Sequence, residues 1–291
     1  MSKIGHVIIP IDFSNQSTIA LRQSYNLAKF SDAEIVLLHV INQDLFERLK
    51  QFSIGKENYE HLLEVGITDS LKEIAKEAIS KGLKVSTKVM HGKIYDKISE
   101  CAGEYDDSII IMGTRGKINF KKRFIGTNTL RVIKISPCPV ITIHGEEHRD
   151  GCKNIILPLD IDKETKDKVS RAIDLAIAFD SKITLLTVLD TKDEFIVNKL
   201  TRQLHSVKEI VEKHKVECES VMIEGSDVAK SILKYSEEVN ADLIMIMTQE
   251  EANFIDYFIG SSAQEIINHS TIPVLSIHPM KRKDTLEFTI Q

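Results

Sequence analysis

Short apolar runs separated by amphipathic stretches recur along the whole chain. Val7-Ile8-Ile9-Pro10-Ile11-Asp12, Ile35-Val36-Leu37-Leu38-His39-Val40, Ile109-Ile110-Ile111-Met112 and Val140–His144 are rich in β-branched and aliphatic residues. Runs of that length predict strands, and their near-continuous apolar character predicts burial on both faces. Val85–Met90 is a fifth, weaker candidate. Between the runs the period lengthens to that of a helix. Ala20, Ser24, Leu27 and Ala28 form an inner stripe for a helix from about Ser17 to Phe30. Leu71, Ile74, Ala75, Ala78 and Ile79 form a second stripe at helical spacing, which stops at Gly82. Further helices are predicted from Ile94 to about Glu104 and over Thr129–Ser136. The stretch from Asn42 to Gly66 shows no clean period and is expected to be irregular.

The whole pattern then returns. Val7–Asp12 recurs as Ile155-Ile156-Leu157-Pro158-Leu159-Asp160, and Ile35–Val40 as Ile183–Val188, both 148 residues on. Asn119-Phe120 and Phe124-Ile125-Gly126-Thr127 recur 134 residues on as Asn253-Phe254 and Phe258-Ile259-Gly260-Ser261. Pro139–His144 recurs as Pro273–His278. The chain is a tandem duplication whose first copy is longer in the middle, by the difference of the two offsets. Helices in the second copy are expected near Lys168–Phe179, Phe195–His214, Val228–Val239 and Ala263–His269.

Alternating strands and helices of this length imply an α/β fold with a parallel sheet, helices on both faces and right-handed crossovers. Each copy supplies five strands. Ligands of such sheets sit beyond the carboxyl ends of the strands, where strand order reverses. Asp12 and Gly113 both fall at that edge. Residues 1–145 and 152–280 are the two domains, the polar, glycine-flanked Gly145–Gly151 joins them, and 281–291 is a tail. Leu286-Glu287-Phe288-Thr289-Ile290 alternates in that tail, as an added edge strand or a loose terminus would.

Bulk properties narrow the functional classes. At 291 residues each copy is long enough to bury its own core. A net charge of −5 gives no reason to expect nucleic acid as a partner. No apolar run approaches the roughly 20 residues that span a bilayer, and Met1–Gly5 leads almost directly into a strand with no signal-peptide core. A cytoplasmic protein with no membrane partner is expected. Cys101, Cys138, Cys152 and Cys218 are scattered and read as reduced, mostly buried thiols. The ten histidines form no H-x3-H or HExxH cluster, so no dedicated metal site is expected.

The chemistry concentrates between Ser108 and Thr127. The strand ends in Met112-Gly113-Thr114-Arg115-Gly116, and after nine residues Gly126-Thr127-Asn128 opens a helix. Glycines let backbone approach a ligand closely, and a helix N-terminus presents N–H groups to an anion. The residues alone fit a phosphate cradle or two ordinary loops. The spacing Gly-x2-Gly-x9-Gly-Thr, with Met-Gly-Thr-Arg-Gly before it and Ser136-Pro137-Cys138-Pro139-Val140 after it, resembles the nucleotide-binding signature of the universal stress protein family. The resemblance extends over two consecutive domains.

That resemblance implies two tandem Rossmann-like domains of the adenine nucleotide alpha hydrolase-like type, binding ATP with magnesium carried on its phosphates. Asp12 would accept hydrogen bonds from the adenosine portion, and backbone around Ile11 and Val40 would meet the base. Gly113, at the end of the Met112 strand, would carry phosphate with Gly116, Gly126, Thr127 and Asn128. Arg115 either touches phosphate or is a solvated loop residue. Such domains usually dimerise through the last strand. Val140–His144 and Val274–His278 are therefore expected to pair within the chain, with a further homodimer open. Asp12 by itself reads first as a helix-cap or turn residue after a strand. Lys117, Lys121, Lys122 and Arg123 make the first-copy loop basic, either to screen phosphate or as a solvated run.

The second copy departs from the signature. Met247 replaces Gly113 and Glu250 replaces Gly116, with Glu251 and Asp256 adding negative charge. This half is expected not to bind ATP in the family manner. No Walker A motif is present and no base is placed to activate water, so an occupancy switch is expected rather than an enzyme, with slow hydrolysis left open. Adenylating enzymes of related fold need Ser-Gly-Gly-x-Asp-Ser or His-x-Gly-His, and Pro10-Ile11-Asp12-Phe13-Ser14 supplies neither. A ligand-free scaffold acting by protein contact is the alternative.

Overall fold

The computed structural model describes residues 4–43, 56–114, 126–145, 151–160, 165–250 and 257–278. In the first half, β1 (His6–Pro10), α1 (Asn15–Ser31), β2 (Glu34–Asn42), α2 (Lys56–Ser80), β3 (Lys84–Gly92), α3 (Ile94–Gly103), β4 (Ser108–Gly113), α4 (Thr127–Ile135) and β5 (Val140–Ile143) alternate. In the second half come β6 (Asn154–Pro158), α5 (Thr165–Phe179), β7 (Lys182–Leu189), α6 (Glu194–Lys213), β8 (Cys218–Glu224), α7 (Val228–Glu238) and β9 (Leu243–Met247). A short antiparallel pair, β10 (Gln249–Glu250) and β11 (Tyr257–Phe258), then precedes α8 (Ser261–His269) and β12 (Val274–Ile277).

Ten strands form one sheet in the order β3-β2-β1-β4-β5-β12-β9-β6-β7-β8. Each half is parallel throughout. The halves meet where β5 and β12 pair antiparallel, with Val274 opposite Thr142 and Ser276 opposite Val140. That pairing joins two apolar edge strands, whose open N–H and C=O rows would otherwise face outward. Thr142 Oγ1 adds a side-chain bond to the Val274 carbonyl at 3.3 Å across the seam.

Both faces are covered, which is why the strands are apolar at successive positions. Val7 and Ile9 face one core and Ile8 the other, as Ile109 and Ile111 oppose Ile110 and Met112. The first core holds α1, α2, α5 and α6, the second α3, α4, α7 and α8, and each continues unbroken from one half into the other.

Local chemistry sets the helix ends. The Ser14 hydroxyl accepts from Ser17 N and starts α1, two residues before the stripe suggested. At its far end Asp32 takes a left-handed conformation, φ 53°, and its N–H closes on Ala28 and Lys29 carbonyls. One expectation fails: part of the stretch from Asn42 to Gly66 is helical, because α2 begins at Lys56. Of its early side chains, Leu62 is 65 % exposed and Val65 43 %, whereas Leu71 is fully buried. From His61 to Ser70 no side chain of this helix is buried, so that stretch has no buried apolar stripe to betray it. Residues 44–55, the linker residues 146–150 and the tail lie outside the described set.

Candidate functional site

The first strand and the fourth are neighbours in the sheet although β2 and β3 come between them in sequence. Strand order reverses there, so α1 and α4 leave on opposite faces and a cleft opens above the β1 and β4 ends. Pro10, Ile11, Asp12, Val40, Met112, Gly113, Gly126 and Asn128 all line it, around ≈ 740 Å³ of empty space that includes open solvent. With Ile94 and Ile98 of α3, residues from five separate stretches of chain converge on one pocket.

Its floor is tightly tied. Ile11 N donates to the Leu38 carbonyl at 2.8 Å. His39 Nδ1 lies 2.6 Å from the Ile11 carbonyl. A carbonyl only accepts, so Nδ1 carries the proton. Burial pushes the His39 pKa below its usual value, against the opposing pull of that carbonyl and of Asp12. The ring is therefore neutral at physiological pH. The Phe13 ring lies tilted 4.9 Å from it, on a residue held at φ 61°. Ile11 offers the pocket apolar surface, its N–H and carbonyl being already engaged.

Asp12 is exposed, and its Oδ1 accepts from Ser14 N at 3.0 Å and from Ser14 Oγ at 2.5 Å. This is a turn-and-cap arrangement: Asp12 orients Ser14, and Ser14 starts α1. The carboxylate nevertheless sits on the wall of the pocket. The structure thus gives Asp12 the turn-and-cap role and a place on the pocket wall.

Gly113 has a packing reason of its own. A Cβ added there would lie 2.7 Å from the Gln16 carbonyl oxygen and 2.8 Å from its carbon. The first turn of α1 presses directly on the end of β4, which only glycine permits. Gly126 differs: its φ is −61° and an added Cβ would meet only the Thr114 carbonyl, at 3.6 Å. Gly126 N donates to that same carbonyl at 3.1 Å, which sets the α4 N-terminus over the pocket. No side chain caps α4 at Gly126; Thr129 N donates to the Gly126 carbonyl at 3.0 Å, which leaves Thr127 and Asn128 as the residues whose first-turn N–H groups could meet an anion.

Asn128 reaches the wall, while Thr127 is exposed at the first position of α4 and does not line the pocket. Arg115 and Gly116 lie outside the described residues. Nine wall residues were not singled out from sequence, and four of them shape the pocket most. Thr114 is 2 % exposed and bonds Ile143 through both N and Oγ1. Ile94 and Ile98 of α3 close the apolar side. His39 is the fourth, and its signal was visible as a lone polar residue in an otherwise aliphatic strand.

The second half has the corresponding cleft, around ≈ 1520 Å³ of empty space, between the β6 and β9 ends and the α8 N-terminus. Asp160, Met247, Gly260 and Ser261 line it. Glu250, in the place of Gly116, lies in the β10–β11 hairpin. Among the described residues no group of three or more His, Cys, Asp or Glu is arranged to hold a metal.

Two parallel α/β halves, each with a cleft at its strand-order reversal, define a tandem protein of the Rossmann-like class. A model of the universal stress protein family matches residues 3–144 and again 151–278. The chain belongs to the universal stress protein family. It is 32 % identical over 137 residues to one universal stress protein of Methanocaldococcus jannaschii, covering 47 % of this chain and 80 % of that one. A second from the same organism is 31 % identical over 150 residues, covering 47 % of this chain and 93 % of the relative. In three dimensions the chain is similar to a universal stress protein from Archaeoglobus fulgidus. The TM-score is 0.78 at 21 % identity, over 96 % of this chain and all of the other, which bears on the fold alone.

Proposed function

We propose that the first half is a nucleotide-binding switch of a cytoplasmic stress response, taking ATP with magnesium carried on the phosphates. One observation carries the reading: Asp12, Val40, Gly113, Gly126 and Asn128, distant in sequence, converge on one pocket at the N-terminus of α4. Its apolar side, made by Ile94, Ile98 and Met112, suits a base, and the α4 N-terminus suits a phosphate. Val40 contributes to the base end and Asp12 to the ribose. The switch works by occupancy rather than turnover. Of the pocket's titratable side chains, His39 is committed to the Ile11 carbonyl and Asp12 to Ser14, which leaves neither poised to activate water. Among the described residues no helix is long and apolar enough to cross a membrane, and no nucleic-acid partner is invoked. Protein partners would read the occupied state, and association of two chains is open to this design.

A ligand-free scaffold is favoured by one observation, the steric need for Gly113, which explains that glycine without any phosphate. Calorimetric titration of the whole chain with magnesium–ATP separates the two. Gly113 variants are unsuitable because they strain the fold, whereas Gly126→Val and Asp12→Ala perturb the wall. The expected result is one site, weakened by about tenfold or more in either variant, as loss of a charged or close polar contact implies. No heat up to millimolar ATP, with the protein folded by circular dichroism, would leave the scaffold.

A further inference from the structure

A further cavity lies at the seam between the halves and shares no wall residue with either strand-end cleft. On the face of the sheet that carries the first core, α1 packs chiefly on β1 and β4, and α5 on β6, β7 and β9. The seam strands β5 and β12 run between those two helices. The space left there is walled by Leu27, Ile111 and Ile143 of the first half and by Leu175, Phe179 and Leu243 of the second. It amounts to ≈ 70 Å³ of free volume, within ≈ 640 Å³ of empty space that includes open solvent. At the C-terminal turns of α1 and α5 the Phe30 and Phe179 rings lie tilted 5.4 Å apart, and the largely exposed Phe30 carries the apolar surface outward.

The wall chemistry selects the ligand. Among the described residues no Lys, Arg or His lines the cavity. Its one carboxylate, Asp242, already accepts from Lys153 N at 2.8 Å and from Asn154 N at 2.9 Å. The Pro273 carbonyl accepts from Ile244 N at 3.0 Å, and the Cys152 carbonyl accepts from Ser181 Oγ. The amides of Gln23 and Asn26 complete the polar side chains of the wall, and Asn26 is exposed. An ion entering here would lose its hydration and find no counter-charge. An apolar cavity with so few open partners for water stays dry and takes up apolar molecules. One water needs about 10–15 Å³ of such volume, so the space admits about five or six heavy atoms.

We propose that the seam cavity binds an uncharged apolar molecule the size of a single six-membered ring. Its walls come from both halves, so an occupant adds to the contacts that hold them together. It also touches the reverse side of the first-half pocket. Ile111 precedes Met112, which stands on that pocket's wall, and the Ile143 carbonyl accepts from Thr114 N at 3.2 Å and from Thr114 Oγ1 at 3.3 Å.

The test titrates the whole chain with benzene and follows the isoleucine and leucine methyl resonances, with benzoate as the charged control. One saturable site is expected, shifting the methyls of Ile111, Ile143 and Leu243 through the ring current of the bound benzene. Cys152→Leu and Leu175→Phe each enlarge a side chain on the wall and are expected to weaken benzene by about tenfold or more, with the urea midpoint unchanged or raised. Benzoate is expected not to bind. The wild-type shifts decide the matter even where a filling variant fails to fold. No saturable shift up to the solubility of benzene, or shifts confined to Ile98 and Ile232 in the strand-end clefts, would overturn the inference. So would benzoate binding as tightly as benzene, or benzene binding untouched in both folded variants.

Discussion

His278 gives the sharpest stability test in the molecule. It follows β12 at the seam between the halves, is 8 % exposed, and places Nδ1 2.6 Å from Thr248 Oγ1. Burial holds its pKa down to about 4 from 6.5, with the Arg171 charge pushing the same way and the Ser136 carbonyl of the other half opposing. Because the folded value is below the unfolded one, the unfolded chain takes up this proton first. The stability tied to His278 is therefore complete above about pH 6.5 and is lost as pH falls from there through about 4. The gap, 6.5 minus about 4, is about 2.5 units. At about 1.4 kcal/mol per unit it corresponds to about 3 kcal/mol when fully developed, and to 2–3 kcal/mol, roughly, by pH 4.5. Carboxylates titrate in the same window, so the assay must subtract them. Urea unfolding of the wild type and of His278→Gln, each at pH 7 and pH 4.5, does so. Glutamine keeps a hydrogen-bonding group beside Thr248 but cannot take the proton. The wild type should lose about 2–3 kcal/mol more than the variant over that interval. Equal losses would refute the claim that a neutral, buried His278 holds the seam.

Gly113→Ala should destabilise the protein by about 1–3 kcal/mol through overpacking against Gln16, whereas Gly126→Ala should change the urea midpoint little. A Gly113→Ala protein as stable as the wild type would show that the α1–β4 contact yields freely. Removing the α1 cap with Ser14→Ala should cost about 1 kcal/mol in thermal or urea unfolding. All four cysteines are free, and burial raises their thiol pKa values, to about 11 at Cys101 and Cys218 and about 12 at Cys152. Iodoacetamide at pH 7.5 should therefore label the native protein much more slowly than the urea-unfolded chain, by mass spectrometry.

Much of the architecture could be read directly from residue order. Val7–Pro10 and Ile109–Met112 are apolar at every position, which in a chain alternating with helical periods means a parallel sheet covered on both faces. The duplication at two offsets marked out two copies, and the glycine spacing marked where a ligand would approach. Those signals are legible because burial and backbone geometry restrict single positions independently of their partners. Contacts between distant segments left no such mark. The helical part of 61–66 was missed because its side chains bury little. His39 stood out as a lone polar residue in an aliphatic strand, but its bond to the Ile11 carbonyl, 28 positions away, could not be read from that. Gly113 bore the same letter whether phosphate or Gln16 required it, and only the approach of α1 to β4 distinguished a steric demand. Likewise Met247 and Glu250 marked a departure from the first copy's signature, but the open cleft around Asp160 and Val188 came into being only when β6, β7, β9 and α8 were brought together. A sequence records what each position must avoid or bury; a pocket is the space left between elements, and it exists only once they are packed.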